Sequence, residues 1–95
     1  MMAVAKVLVA VRVNPEDIDV DLDKLVDEVK AKLPKEFEVV RHEKVYIAFG
    51  LYALRLFIIM PEEYEGGTED IEKILTSIKG VASVDVEMVT RTEAF

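Results

Sequence analysis

Few residues in this 95-residue chain could do covalent chemistry. His42 is the only histidine and there is no cysteine. Thiol nucleophiles, disulfides and cysteine zinc sites are therefore absent, and a histidine-based triad or metal pair lacks its second member. His42 reads as a surface or strand-edge residue. No Gly-x-Ser-x-Gly, Walker or dinucleotide glycine pattern occurs. Carboxylates cluster at "EDIDVDLD" (residues 16–23) and "EEYEGGTED" (residues 62–70). Neither has the alternating ligands, central glycine and closing glutamate of an EF-hand loop, so both read as solvated loop and helix-start charges. Metal ions, cofactors and catalytic residues are not expected.

The second kind of chemistry is recognition. "KVYIAFGLYALRLFIIM" (residues 44–60) is nearly all apolar, yet Gly50 splits it. A chain reversal there makes "AFGL" a hairpin tip, with Gly50 supplying the positive φ of a tight turn. Phe49 then either folds back over the core or projects as an anchor for a pocket on another protein. Aromatic rings serve well as such anchors because they bury much area with little rotamer loss.

These positions need a scaffold, and the rest of the chain supplies one. Length argues for a single domain over residues 1–95. Hydrophobic residues make up 52% and charged residues 33%, a globular balance. The formal net charge of −7 disfavours broad contact with nucleic acid or anionic membrane. "VAKVLVAVRV" is too short and too charged to span a bilayer and is a poor signal peptide, so a cytoplasmic protein is expected.

Residues 4–13 alternate as a strand, with Val7, Val9, Val11 and Val13 on one side. Residues 21–33 place Leu22, Leu25, Val26, Val29 and Leu33 at helical spacing, with Asp21 as cap and Pro34 as terminator. Strands follow over about 37–47 and 51–60. A second helix runs through "EDIEKILTSIK", with Thr68 as cap and Gly80 as its closing left-handed residue. "VASVDVEMV" is a fourth strand, with Val84, Val86 and Met88 on one side, and "TRTEAF" carries no core pattern.

The order β-α-β-β-α-β predicts an α+β, ferredoxin-like sandwich: a four-stranded antiparallel sheet with two helices on one face and strands one and three central. The open face then holds Leu8, Ala53, Phe57 and Ile59 with Lys6, Arg12 and Arg55. That field reads either as a partner surface or as side chains shielding one another. An RNA-binding sheet of the same order lacks its basic, aromatic-rich consensus here. An acylphosphatase-like enzyme needs an anion-cradling loop after strand one, where "NPEDID" places carboxylates instead.

"YIAFGLYAL", "EGGTEDIEKIL" and "IKGVASVDVEMVTR", in this order, resemble archaeal elongation factor 1-beta over roughly Val4 to Arg91. The resemblance implies a guanine-nucleotide exchange factor in translation. Its partner is then elongation factor 1-alpha, whose nucleotide-free state it stabilises so that GDP gives way to GTP. No covalent bond changes in that reaction. The resemblance further implies that Phe49 and Gly50 at the tip, Lys6 opening strand one, and Arg91 contact the GTPase. Arg91 stands where eukaryotic relatives carry a lysine directed at the Mg²⁺ site. The competing expectation is a ligand-sensing or self-associating ferredoxin-like domain without exchange activity.

Overall fold

Valine alternation in β1 (Lys6–Pro15) buries Val9, Val11 and Val13 completely on one side of the strand. Leu54, Leu56, Ile58 and Met60 of β3 (Leu51–Pro61) lie on the same side, because β1 and β3 pair antiparallel from Lys6↔Pro61 to Val13↔Leu54. The computed structural model describes residues 6–61 and 67–92. Between β1 and β3 come α1 (Leu22–Lys32) and β2 (Glu38–Ala48). After β3 come α2 (Gly67–Thr76) and β4 (Val81–Thr92). The four strands form one sheet in the order β2-β3-β1-β4, every neighbouring pair antiparallel. Strands one and three are central, and the architecture is the expected α+β sandwich.

Each helix covers the valine face. Leu25, Val26 and Val29 of α1 and Ile71 and Leu75 of α2, with Ile78 just beyond it, close one core with the sheet. Each fully buried leucine or isoleucine there contributes about 1.5–3 kcal/mol of transfer free energy. Asp21 caps α1 as its sequence predicts: its carboxylate accepts the N–H groups of Asp23 at 3.0 Å and Lys24 at 3.2 Å.

Three local readings change. Gly67 is the first helical residue of α2, so Thr68 sits inside the first turn and is not its cap. The helix also stops at Thr76. There the Thr76 hydroxyl donates to Glu72 O at 2.7 Å and the Ser77 hydroxyl to Ile74 O at 2.6 Å. These back-bonds, with Ile78 N–H donating to Leu75 O at 3.2 Å, tighten the last turn to i→i+3. Gly80, at φ +97°, closes that turn into β4.

The third change lies in β4. Its register against β1 slips between Ala10↔Met88 and Val11↔Val86, which leaves Glu87 as the extra residue of a bulge. An extra residue reverses the alternation. Met88 therefore pairs with Ala10 on the open face, while Val84 and Val86 pair with Val13 and Val11 on the core face. Beyond the bulge β4 continues to Thr92, so Thr90, Arg91 and Thr92 are strand and not tail. The acidic loop at 62–66, the start of the first expected strand at 4–5 and the tail at 93–95 lie outside the described residues.

Phe49 and Gly50 make the β2–β3 turn, both with positive φ (+50° and +80°), the signature of a type I′ hairpin turn. No atom lies within 4 Å of a Cβ built at Gly50. Gly50→Ala is therefore expected to lower stability by about 1 kcal/mol through backbone strain alone, as thermal denaturation will read.

Candidate functional site

The hairpin places Phe49 at its apex, 96% exposed. The ring does not fold back over the core. A phenylalanine at positive φ is held against its own steric preference, and here the conformation gives nothing back in burial. Gly50 is exposed beside it.

Lys6 and Arg91 lie at the other end of the sheet. Lys6 pairs with Pro61 of β3 and Thr92 of β4, and Arg91 pairs with Val7. They stand one register step apart on neighbouring strands and on opposite faces. Arg91 shares the helix-side face with Val7, whereas Lys6 follows Leu8 on the open face. Lys6 is half-buried and Arg91 exposed. The four expected contact residues thus form two groups. Ten strand residues separate the hairpin turn from Pro61, roughly 30 Å along β3. The molecule is correspondingly elongated, 49 × 21 × 18 Å.

Between the two ends, part of the open face is closed by its own side chains, while Val40 and Met88 stay exposed. Ala10, Ala53 and Ile59 are buried there. Arg41 sits 5.8 Å over the Phe57 ring. A row of charges crosses all four strands. Arg55 donates to Glu87 from Nε at 2.7 Å and to Glu43 from Nη1 at 2.8 Å. Arg12 donates to Asp85 at 3.1 Å, and Asn14 joins Asp85 to Ser83 with two bonds of 3.0 Å. Of the three cations that sequence places on this face, Arg12 and Arg55 are committed to neighbours. Alternation after Val84 and Val86 puts the Glu87 carboxylate on this face, within reach of Arg55.

These bonds hold Arg55 more firmly in its charged form, chiefly through Glu87 and then Glu43. The Arg55 hydrogen bond pulls the Glu87 carboxyl below its ordinary range, and Asn14, then Arg12, do the same for Asp85. A carboxylate whose folded pKa is depressed adds stability above its unfolded pKa and loses it as pH falls through the folded value. Glu87→Gln is therefore expected to melt earlier than wild type at pH 7. The gap closes as pH falls below the ordinary glutamate range and through the depressed folded value, where the wild-type carboxylate protonates too. Melting curves over that range check it.

Sequence reasoning missed Tyr46 and Tyr52. They pair across β2 and β3 with ring centroids 5.4 Å apart and planes at 70°, both largely exposed near the hairpin tip. A two-residue turn at 49–50 in strict register sets Tyr52 opposite Ile47. A register shift between Tyr46 and Ala48 puts Tyr46 there instead. No sequence signal announced that shift.

His42 lies exposed on β2, the edge strand, paired with Leu56. Among the described residues no group of three or more histidine and acidic side chains could hold a metal ion. No helix among them is long and apolar enough to cross a membrane.

Residues 8–92 match the family model described as the EF-1 guanine nucleotide exchange domain. Among curated proteins, the chain is 48% identical over 91 residues to "Elongation factor 1-beta" of Hyperthermus butylicus, covering 96% of this chain and 99% of that protein. It is 49% identical over 87 residues to the protein of that name from Staphylothermus marinus, with 92% and 97% covered. The protein of that name from Ignicoccus hospitalis is 42% identical over 91 residues. Among solved structures, the C-terminal domain of the MgtC protein from Mycobacterium tuberculosis superposes with a TM-score of 0.53 at 12% identity, over 99% of this chain and 94% of that one. That last likeness concerns the fold alone.

Proposed function

Because the chain belongs to the EF-1 guanine nucleotide exchange family, together with the archaeal elongation factors 1-beta, we propose that its partner is elongation factor 1-alpha and that it releases GDP by stabilising the empty GTPase. The observation that carries this reading is the exposed, strained Phe49 at the apex of a tight hairpin. A fold gains nothing from such a residue, while a partner pocket gains a large apolar ring already in position.

The mechanism follows from linkage. A factor that expels GDP must bind the empty GTPase more tightly than the loaded one, and the nucleotide must weaken the factor equally. GDP is held by backbone N–H groups and by Mg²⁺ bridging its phosphates to hydroxyl ligands. A cation brought to that site competes with the metal and disturbs its ligands. Phe49 and Gly50 dock one end of the rod. Docking there delivers the Lys6 and Arg91 end to the nucleotide site, roughly 30 Å away by the strand geometry. The chemistry is displacement, with no acid, base or nucleophile.

The competing self-association reading rested on an apolar open face that required cover. On that face Ala10, Ala53 and Ile59 are buried and Arg12 and Arg55 are paired, which leaves self-association a smaller apolar patch of Leu8, Val40, Phe57 and Met88. The test is release of fluorescent GDP from the elongation factor 1-alpha of a related archaeon, chased with unlabelled nucleotide. Release should accelerate with factor concentration and saturate. An unchanged release rate, with a concentration-dependent dimer of this chain and no GTPase affinity, overturns the proposal in favour of self-association.

A further inference from the structure

Eight large hydrophobic side chains are exposed among the described residues, and five of them lie at one end of the molecule: Ile18, Tyr46, Ile47, Phe49 and Tyr52. The topology puts them together. The β2–β3 turn, the end of β1 at Pro15 and the start of β4 at Val81 share that end, because Pro15 pairs with Val81 and Ala48 with Leu51. Ile18 belongs to the connection that leaves β1 there, pinned by Glu16 N–H donating to Gly80 O at 2.9 Å. Tyr46 and Tyr52 brace each other edge to face, so two rings stand fixed below the apex ring. Rings held this way lose little rotamer freedom on docking.

The same end is acidic. Residues 16–23 hold five carboxylates (Glu16, Asp17, Asp19, Asp21 and Asp23) and no basic side chain. Lys44 of β2, two residues before Tyr46, reaches Asp23 at 3.7 Å, which sets the start of α1 beside the hairpin. Lys24, Lys44 and Lys79 also lie at this end, and Arg12 and Arg55 nearby are already held by Asp85, Glu43 and Glu87, so the carboxylates remain in excess.

We propose that the hairpin end is an acid-rimmed aromatic plug in which Tyr46 and Tyr52 act with Phe49. It fits an apolar pocket on the GTPase that is bordered by lysine or arginine side chains. This rests on the exchange reading above and adds to it two specificity-determining tyrosines and the charge of the surface they meet. The rings set how long the complex lasts. The carboxylates steer encounter and disfavour partners with acidic rims.

The experiment is stopped-flow association and dissociation with elongation factor 1-alpha of a related archaeon across an ionic-strength series. The variants are Asp17→Asn with Asp19→Asn, Tyr46→Ala and Tyr46→Phe. Asn keeps the acceptor that Asp17 offers to Asp19 N–H at 2.8 Å, and Asp21 and Asp23, which cap and pair, are untouched. Wild-type association should slow as salt rises. The double Asn variant should associate about threefold more slowly at low salt, with a flatter salt dependence. Tyr46→Ala should dissociate about tenfold faster, and Tyr46→Phe should restore wild-type dissociation, since the ring and not the hydroxyl is used. If wild type binds and accelerates GDP release but these variants match it, or the double Asn variant associates faster, the plug is overturned while the exchange function stands. If wild type neither binds nor accelerates release, both fall.

Discussion

Phe49→Ala is expected to weaken binding to elongation factor 1-alpha by about 30-fold or more while leaving the melting temperature essentially unchanged. The two effects separate because the ring, 96% exposed, contributes no burial to the folded chain. The anchor role proposed for it corresponds instead to a hot spot, for which truncation costs about 2 kcal/mol or more. Alanine at φ +50° is as strained as phenylalanine, so the turn neither gains nor loses. Phe49→Gly sharpens the test. It relieves the strain and should raise stability by about 1 kcal/mol, yet it loses the same affinity. Calorimetric binding and thermal melts on the same preparations decide it. A variant that melts several degrees early and still binds normally makes Phe49 a structural residue and removes the anchor.

Arg91→Ala is expected to slow GDP release at saturating factor by about tenfold, with a smaller change in affinity for the empty GTPase. Tenfold corresponds to about 1.4 kcal/mol of lost transition-state stabilisation, a modest demand on one cation in the Mg²⁺-site role proposed for it. Arg91 is exposed near the end of β4, one register step from Lys6, and needs no rearrangement of the core to approach another surface. Arg91→Lys keeps the charge on a narrower head and should keep most of the rate. The opposite pattern, lost affinity with an intact saturating rate, takes Arg91 out of the Mg²⁺-site role. Phe49 and Arg91 lie roughly 30 Å apart, so their effects should combine additively in free energy.

Much of this was legible in the chain itself. Valines at alternate positions from 7 to 13, and Leu25 and Val26 about one helical turn before Val29, each fix which way an element faces. Two βαβ halves with right-handed crossovers leave one strand order, β2-β3-β1-β4. The glycine inside an apolar run located the hairpin apex to the residue, because few other residues tolerate that turn. The cap at Asp21 was readable because it depends on residues within three positions of it.

Other features were not legible because they depend on partners far along the chain. Whether Phe49 lies in or out is decided by whether anything stands over the turn, which no local pattern encodes. The extra residue at Glu87 appears only when β4 is laid against β1, and it moves Met88 to the opposite face. The pairing of Arg12 and Arg55 likewise needs Asp85, Glu43 and Glu87 brought from other strands.

The amino-acid order by itself determined the elements, their sequence, the buried faces of β1, β3 and the two helices, and the place where the chain turns back, since all of these follow from short-range periodicity and backbone preference. Only the tertiary structure decided that Lys6 and Arg91 stand at one end of a rod and Phe49 at the other, and that two tyrosines join the latter. Strand register and bulges set those distances, and they come from pairing between segments that the chain holds far apart.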